Sequence, residues 1–236
     1  MKTWFTFLAA WGVAGAVSAQ TAISPTNHIE LFNGRDFTGW TFCMKGDADP
    51  LATWSVTNGV IHCTGKPTGY LRTKQVYYDY VLTVEWRFLK VVPKTGDNTG
   101  ILVHMQLPDQ VWSECVQVQG KHLRQGDLFM MVGAESKEHK AKGMDANTPL
   151  PLRGESNEHP VGEWDIVKTI CNTAPTADQK PGGVITAYVN DRLMNVTTEC
   201  TLTNGFIGIQ SEGGDIEIRK MSLDPLPKGY VAPPAE

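Results

Sequence analysis

Short apolar runs with the alternation of β-strands, separated by turn sequences, fill most of this chain. In the run 80–88, apolar side chains alternate with Thr83, Glu85 and Arg87, and successive side chains of a strand point to opposite faces. Turn sequences such as Asn58-Gly59 separate the runs, and no long helical pattern intervenes. The pattern predicts an all-β fold, a jelly-roll β-sandwich of two antiparallel sheets. The predicted strands are 54–56, 60–63, 80–88, 101–105, 115–119, 164–171, 184–189, 206–210 and 216–221.

The first 19 residues have the pattern of a secretory signal peptide. Lys2 precedes the apolar run 4–17, and Val17-Ser18-Ala19 suits cleavage before Gln20. The run is too short for a membrane-spanning helix. We therefore expect an exported protein, periplasmic or extracellular, without stable membrane insertion. Residues 20–226 are expected to form one domain, and the proline-containing tail 227–236 to leave the sheet.

The charge balance narrows the class of partner. The formal net charge is −4 and the pI is about 5.9. No segment is rich in Lys and Arg, which argues against a nucleic-acid partner. Neutral polar ligands fit this composition better.

Five cysteines are an odd number for an exported chain, so at most two disulfides can form. Pairs that are near in sequence would be Cys43 with Cys63 and Cys171 with Cys200. Cys115 would then remain as a buried thiol inside a strand.

Polar and ionisable side chains occupy the alternate face of three predicted strands. Glu85 and Arg87 lie on one strand, His104 on the next, and Gln117 and Gln119 on the third. Together these groups can bind and react with a polyhydroxylated ligand, although paired glutamines are also common on solvent-facing strands. Further candidates for ligand contact are Gln210, Glu212, Asn98, Asp127 and Lys121. Glu212, Asn98 and Asp127 can instead serve in turns, and Lys121 can simply be solvated.

The segment 133–160 interrupts the strand pattern. It is rich in Lys, Glu, Pro, Asn and Gly and has little periodicity. A long loop of this kind either covers a functional surface or is simply solvated. We expect a loop that can roof the polar face.

A succession of short motifs resembles one known family from about residue 31 to residue 226. The family is that of the 3-keto-disaccharide hydrolases, also described as 3-keto-glucoside 1,2-lyases and 3-keto-2-hydroxy-glucal hydratases. This chain departs from the family in having Gln117 where Glu is common, Thr99 in place of a Ser-like residue, and Asp165 in place of Asn. The motifs that carry the resemblance are Leu31-Phe32-Asn33-Gly34, Gly39-Trp40, Trp54-Ser55-Val56, Asn58-Gly59-Val60, Gly69-Tyr70-Leu71-Arg72-Thr73, Tyr78, Glu85-Trp86-Arg87, Asn98-Thr99-Gly100-Ile101, Val118-Gln119, Gly126-Asp127, Gly162-Glu163-Trp164-Asp165, Gly208-Ile209-Gln210-Ser211-Glu212-Gly213 and Ile216-Glu217-Ile218-Arg219.

The resemblance implies a concanavalin A-like jelly roll and cleavage of glycosides already oxidised at C3. The ketone makes the C2 hydrogen acidic, so a base removes it, the C1 substituent leaves, and water adds to the unsaturated sugar. His104 is the first candidate for the base because of its ordinary pKa near 6.5. Glu85 competes for that role, or else orients His104 or acts as the acid. Arg87 suits the enolate oxygen, or it only pairs with Glu85.

No cofactor is predicted, although a divalent metal is compatible with a convergence of His104, Glu85 and Glu212. The expected partner is an oxidised saccharide or glycoside. The main alternative is a non-catalytic, lectin-like carbohydrate-binding module, because a fold does not fix a function and Gln117 departs from the family pattern. A structural domain of an exported assembly is a third interpretation.

Overall fold

The predicted sandwich is present in the computed structural model, which describes residues 20–145, 147–173 and 182–235. The signal peptide predicted for residues 1–19 lies outside the described residues. Two short 3-10 helices are formed by Lys45–Asp47 and Pro50–Ala52. None of the helices in the described part of the chain is long and apolar enough to cross a membrane. The other elements, in chain order, are β1 (Ile29–Glu30), β2 (Trp40–Met44), β3 (Trp54–Thr57), β4 (Val60–Cys63), β5 (Gly69–Thr73), β6 (Tyr80–Lys90), β7 (Gly100–Met105), β8 (Cys115–Gln119), β9 (Leu128–Met131), α1 (Lys137–Ala141), β10 (Asp165–Asn172), β11 (Gly183–Val189), β12 (Arg192–Cys200), β13 (Phe206–Ser211) and β14 (Asp215–Pro225).

The strands form two antiparallel sheets. The eight-stranded sheet has the order β12-β11-β10-β6-β14-β4-β3, and β1 also pairs with β14. The six-stranded sheet has the order β2-β5-β13-β7-β8-β9. Hairpins such as β3-β4, β7-β8-β9 and β10-β11-β12 pair in sequence order, whereas neighbours such as β6 and β14 are distant in sequence. The chain therefore passes repeatedly between the two layers.

The core lies between the inner faces of the two sheets. Leu82, Val84 and Trp86 of β6 point into it from the larger sheet, and Val116 and Val118 of β8 point into it from the smaller one. Because strand residues alternate between faces, the polar residues between these positions point away from the core. This alternation decides on which surface each candidate residue lies.

Each strand predicted from the sequence is present, whereas β1, β2, β5, β9 and β12 were missed. Strands β5 and β12 were missed because buried polar residues interrupt their apolar pattern, Arg72 and Thr73 on β5 and Asn195, Thr197 and Thr198 on β12. On β12, the hydroxyls of the buried residues Thr197 and Thr198 are both satisfied, because each donates to the carboxylate of Glu138.

The segment 133–160 differs from the predicted loop because it contains α1 and packs against an edge strand of each sheet. Glu138 of α1 bonds to β12, and Leu150 forms a bridge with Leu128 of β9. Beyond β14, the described part of the tail has no strand or helix. The tail contacts the body through Tyr230, whose hydroxyl donates to Thr186, and through the Pro234 carbonyl, which accepts from Arg153.

The two predicted disulfides are wrong, because all five cysteines are free thiols. Cys43 lies on β2 and Cys63 on β4, in different sheets. Cys171 on β10 and Cys200 on β12 are separated by β11. Two strand spacings amount to about 10 Å, which exceeds the Cα separation that a disulfide spans.

Candidate functional site

A cleft of about 450 Å³ opens on the outer face of the six-stranded sheet. Its wall combines four aromatic or aliphatic side chains from loops and strands with four carboxamides and one carboxylate. That composition suits a sugar, which has an apolar ring face and a polar edge. The lining residues are Asn98, Trp112, Gln117, Gln119, Phe129, Met131, Val132, Asn147 and Glu212.

Strand β8 places two of the predicted residues in the cleft. Val116 and Val118 point into the core, so Gln117 and Gln119 point outward and are nevertheless 4% and 6% exposed. Gly100 on the neighbouring strand β7 makes room for them, because a Cβ there would lie 2.8 Å from Nε2 of Gln117. The Gln117 side chain therefore lies flat across the sheet.

Backbone groups fix the orientation of the Gln119 carboxamide. Its Oε1 accepts from the N–H of Gly120 at 3.0 Å and from the N–H of Lys121 at 3.1 Å. Nε2 of Gln117 is a third donor to the same oxygen. Because Oε1 of Gln119 already accepts these three hydrogen bonds, Nε2 of the same side chain is the group that can still donate to a ligand.

Glu212 follows β13 directly and contributes the carboxyl of the cleft. Burial raises the pKa of Glu212 to about 7, and the positive charge of Lys121 offsets part of the rise. A carboxyl with a pKa near neutrality can both accept and deliver a proton at physiological pH. The sequence predicts Glu212 as a ligand contact or a metal ligand, and the proton-transfer chemistry of this carboxyl becomes apparent only from its burial.

Two further amide oxygens on this face lack a partner within the described residues. Oδ1 of Asn98, in the cleft wall, is buried without a hydrogen bond. Oε1 of Gln210 is likewise unpaired, and Gln210 is 2% exposed on β13, opposite Tyr70 of β5. Buried acceptors of this kind are costly unless a ligand or water satisfies them.

His104 is not in the cleft, which corrects the prediction from the alternation of β7. One residue of β13, Ile207, lies opposite two residues of β7, Val103 and His104. This is the pattern of a β-bulge, and His104 has a φ of 54°. The extra residue turns the imidazole into the core, where it packs edge-on against Tyr80 with ring centroids 5.9 Å apart.

The environment of His104 is that of a buried neutral imidazole. The residue is 1% exposed, and Nδ1 lies 3.0 Å from the carbonyl oxygen of Leu202. Burial lowers the pKa of His104 to about 4, despite the opposing effect of the hydrogen bond to Leu202. Proton transfer with a ligand in the cleft is therefore not available to this group.

Glu85 and Arg87 lie on the opposite surface of the molecule, the outer face of the eight-stranded sheet. Nε of Arg219 donates to Glu85 at 2.7 Å, and Arg87 donates to Glu217 at 2.6 Å. The two guanidinium groups lie 4.4 and 4.5 Å from the ring centroid of Trp164. These contacts form a surface network, so the predicted convergence with His104 and the glutamines is wrong.

Asp127 and Lys121 are close to the cleft without lining it. One carboxylate oxygen of Asp127 accepts from the N–H of Leu152 at 2.6 Å, and the other accepts from Arg124. Burial raises the pKa of Asp127, and its contacts give it a role in fixing the loop before β9. Lys121 is 3.8 Å from Asp97 and acts on Glu212 through its charge.

The proposed metal ligands are not together. His104 points into the core, Glu85 lies on the far surface and Glu212 lies in the cleft, so this set cannot share an ion. Over residues 20–145, 147–173 and 182–235, no group of three or more His, Cys, Asp or Glu side chains has the arrangement of a metal site.

Sequence reasoning missed the apolar half of the cleft. Phe129 and Met131 are the outward residues of β9, whose sequence Leu128–Met131 is apolar throughout and alternates only in burial. Trp112 and Asn147 come from irregular segments, for which no periodicity exists. A search for short apolar runs would have found β9 but neither its outward face nor these two loop residues.

A clasp of three side chains fixes the segment 106–114 on the same outer face. Nε and one terminal nitrogen of Arg72 donate to the two oxygens of Asp109, each at 2.6 Å. The hydroxyl of Tyr70 donates to Asp109 at 2.9 Å. Burial acts to raise the pKa of Asp109, but the hydrogen bonds from Arg72 and Tyr70 hold it below its usual value. The clasp thereby positions the segment that carries Trp112.

Several solved structures share this fold. A proposed glycosyl hydrolase from Parabacteroides distasonis matches 85% of this chain and 94% of its own, with 18% identity and a TM-score of 0.57. The carbohydrate-binding module CBM66 from Bacillus subtilis matches 79% of this chain and 95% of its own, with 13% identity and a TM-score of 0.52. The carbohydrate recognition domain of Emp46p, in a metal-free form, matches 86% and 96%, with 13% identity and a TM-score of 0.54. At these identities the likeness shows a common fold.

The family comparison is more specific. No curated protein sequence matches the chain. A family model described as the 3-keto-alpha-glucoside-1,2-lyase-like domain matches residues 27–224, which is most of the chain. The resemblance recognised in the sequence motifs is thus confirmed, and the chain belongs to the family of 3-keto-alpha-glucoside-1,2-lyase-like domains.

Proposed function

We propose that this protein is an exported enzyme that cleaves 3-keto-glycosides in the cleft of the six-stranded sheet, with Glu212 as the proton-transfer group. The observation that carries the proposal is the raised pKa of Glu212, about 7, in a cleft lined by carboxamides and aromatic groups. Membership of the 3-keto-alpha-glucoside-1,2-lyase-like family supports this reaction class. The apolar run and cleavage sequence at residues 1–19 support export.

The reaction begins with transfer of the acidic C2 proton to the Glu212 carboxylate. The electron pair left at C2 is delocalised onto the C3 oxygen as an enolate. Collapse of the enolate expels the C1 substituent, whose oxygen takes up a proton. The carboxyl that holds the C2 proton can deliver it, since its pKa near neutrality suits both steps. Addition of water across the C1–C2 double bond then completes a net hydrolysis.

The carboxamides provide binding and charge stabilisation. Nε2 of Gln119 is held by the backbone contacts to Oε1 and is a preorganised donor for the C3 enolate oxygen. Asn98 and Gln210 offer unpaired acceptors for sugar hydroxyls. Gln117 presents an acceptor where the family commonly has a carboxylate, so binding is its role here. Trp112 and Phe129 give the ring an apolar surface.

The test compares a 3-keto-α-glucoside with its unoxidised parent, using purified protein and measuring release of the aglycone. We expect release only from the keto compound. Glu212→Gln should lower kcat by about 100-fold or more, the usual contribution of general acid–base catalysis. Glu155→Gln, at an exposed carboxyl outside the cleft, is the matched control and should retain full turnover. Equal release from both glycosides, or full activity of Glu212→Gln, would overturn the proposal.

A non-catalytic carbohydrate-binding module is the second candidate. Gln117, in place of a family carboxylate, favours the binding module. A site that only binds sugar tolerates a carboxamide at this position, whereas turnover needs a base. Calorimetric titration with the keto-glycoside separates the two functions. Binding by the wild type without any aglycone release would establish the module and reject the enzyme.

A further inference from the structure

A second hollow, of about 570 Å³, lies on the same outer face of the six-stranded sheet. We call it the distal hollow. Val76, Met105 and Phe206 form its apolar floor, and Thr41, Lys74 and Asn204 stand at its polar rim. The three floor residues are 8%, 1% and 6% exposed, so the floor is well packed.

The distal hollow and the cleft are joined by strand β13 and by the segment 106–114. Phe206 of the distal hollow and Glu212 of the cleft lie six residues apart along β13 and its next residue, which corresponds to roughly 20 Å. Leu107 contributes to the hollow and Trp112 to the cleft. Between them Asp109 is held by the clasp, and its side chain is 36% exposed. A ligand that crosses the clasp therefore meets polar atoms on its way.

The lining of the distal hollow resembles that of the cleft in its mixture of apolar and polar side chains, but it has no counterpart of Glu212 among the described residues. In the described part of the chain, its lining contains no carboxylate, and Lys74 is the one cation there outside the clasp. Within the described chain, the side chains of Thr41, Lys74 and Asn204 make no hydrogen bond or ion pair. An apolar floor below a rim of free donors and acceptors fits a sugar ring lying flat.

We propose that the distal hollow binds the far sugar units of the leaving group, so that the preferred substrate is an oligosaccharide oxidised at its end unit. This proposal rests on the proposed function for the choice of substrate. The separation of roughly 20 Å between the two sites is more than a disaccharide spans. A longer chain gains contacts that are distant from the reacting carbon, and such contacts lower KM without changing kcat.

The test compares 3-keto-maltose with 3-keto-maltohexaose, each oxidised at the non-reducing end. We expect kcat/KM to be about 10-fold higher for the hexasaccharide, through KM. The double variant Lys74→Ala/Asn204→Ala should remove this advantage and leave the rate with 3-keto-maltose unchanged. Lys45→Ala/Asn27→Ala, at two exposed positions, is the matched control and should keep the advantage. Equal kcat/KM for the two substrates, or an advantage that survives the double variant, would overturn the proposal.

Binding of unoxidised maltohexaose separates a failure of this proposal from a failure of the proposed function. If neither keto substrate is cleaved, backbone amide shifts of Met105 and Phe206 in NMR spectra still report occupation of the distal hollow. Shifts that appear with maltohexaose and vanish in the double variant support the distal hollow alone. No shift at these residues rejects it, whatever the outcome for turnover.

Discussion

Nε2 of Gln117 donates a hydrogen bond to Oε1 of Gln119 at 3.2 Å. That oxygen also accepts from two backbone N–H groups, so it cannot turn away without leaving them unpaired. The orientation of one carboxamide therefore fixes the orientation of the other. The pair presents one acceptor, Oε1 of Gln117, and one donor, Nε2 of Gln119, to the cleft.

This relationship predicts the effect of restoring the family residue by Gln117→Glu. An ionised carboxylate would face Oε1 of Gln119, which two backbone N–H groups hold in place, and two acceptors would be in contact. A protonated carboxyl can still donate. We expect a loss of about 1–3 kcal/mol in unfolding free energy at pH 8 and a smaller loss at pH 5. Urea unfolding at both pH values measures this, and equal losses would show that the pair does not constrain the side chain.

The raised pKa of Glu212 predicts the direction in which stability changes with pH. The ordinary pKa of the carboxyl is 4.5, and burial raises it to about 7 in the folded protein. Between these values the folded state binds more protons than the unfolded state, so the stability contributed by this group falls as pH rises. Glu212→Gln removes the free-energy cost of burying an ionised carboxylate at this position. The Tm of the variant should exceed that of the wild type at pH 8 but not at pH 4.5. A Tm difference independent of pH would contradict the raised pKa.

The sequence predicts the sandwich because long strands such as β6 and β10 alternate between a buried face and a more exposed one. Leu82 and Val84 alternate with Thr83 and Glu85. This pattern predicts both the strand and which of its faces is buried. The same argument placed Gln117 and Gln119 correctly on an outward face. Alternation does not say, however, to which sheet a strand belongs. Glu85 and Gln117 both point outward, but from opposite surfaces of the molecule.

Two kinds of local structure limited the prediction of the site. The bulge at His104 reverses the side chain of a residue whose sequence context looks regular, because the extra residue has no counterpart on β13. The apolar wall includes Trp112, whose position depends on the clasp between Asp109 and Arg72. Such a contact joins residues that are distant in sequence, and no local pattern encodes it.

The network around Trp164 predicts a modest structural role for Glu85. Its side chain is 17% exposed and that of Arg219 is 45% exposed, so solvent screens the pair. Glu85→Ala should lower the unfolding free energy by about 1 kcal/mol or less and leave turnover unchanged. A double-mutant cycle with Arg219→Ala measures the coupling between the two side chains. Loss of turnover in folded Glu85→Ala would return this residue to the catalytic candidates.

The bulge at His104 depends on close approach of the backbone at Gly205. A Cβ at Gly205 would lie 2.2 Å from the carbonyl carbon of His104. Gly205 cannot move aside, because its N–H and carbonyl are both bonded to Tyr77, at 3.1 and 2.9 Å. We expect Gly205→Ala to lower the unfolding free energy by about 3 kcal/mol, the upper range for overpacking, as measured by urea unfolding.

Gly133→Ala is the matched control for this prediction, because the nearest atom to its new Cβ is the mobile Oε1 of Glu114. Its effect should remain within about 0.5 kcal/mol. In Gly205→Ala the bulge has to open, so the imidazole of His104 should become hydrated and its pKa should rise from about 4 toward its ordinary value of 6.5. NMR titration of the His104 ring detects that shift. Wild-type stability together with an unshifted titration would show that the bulge does not require glycine at position 205.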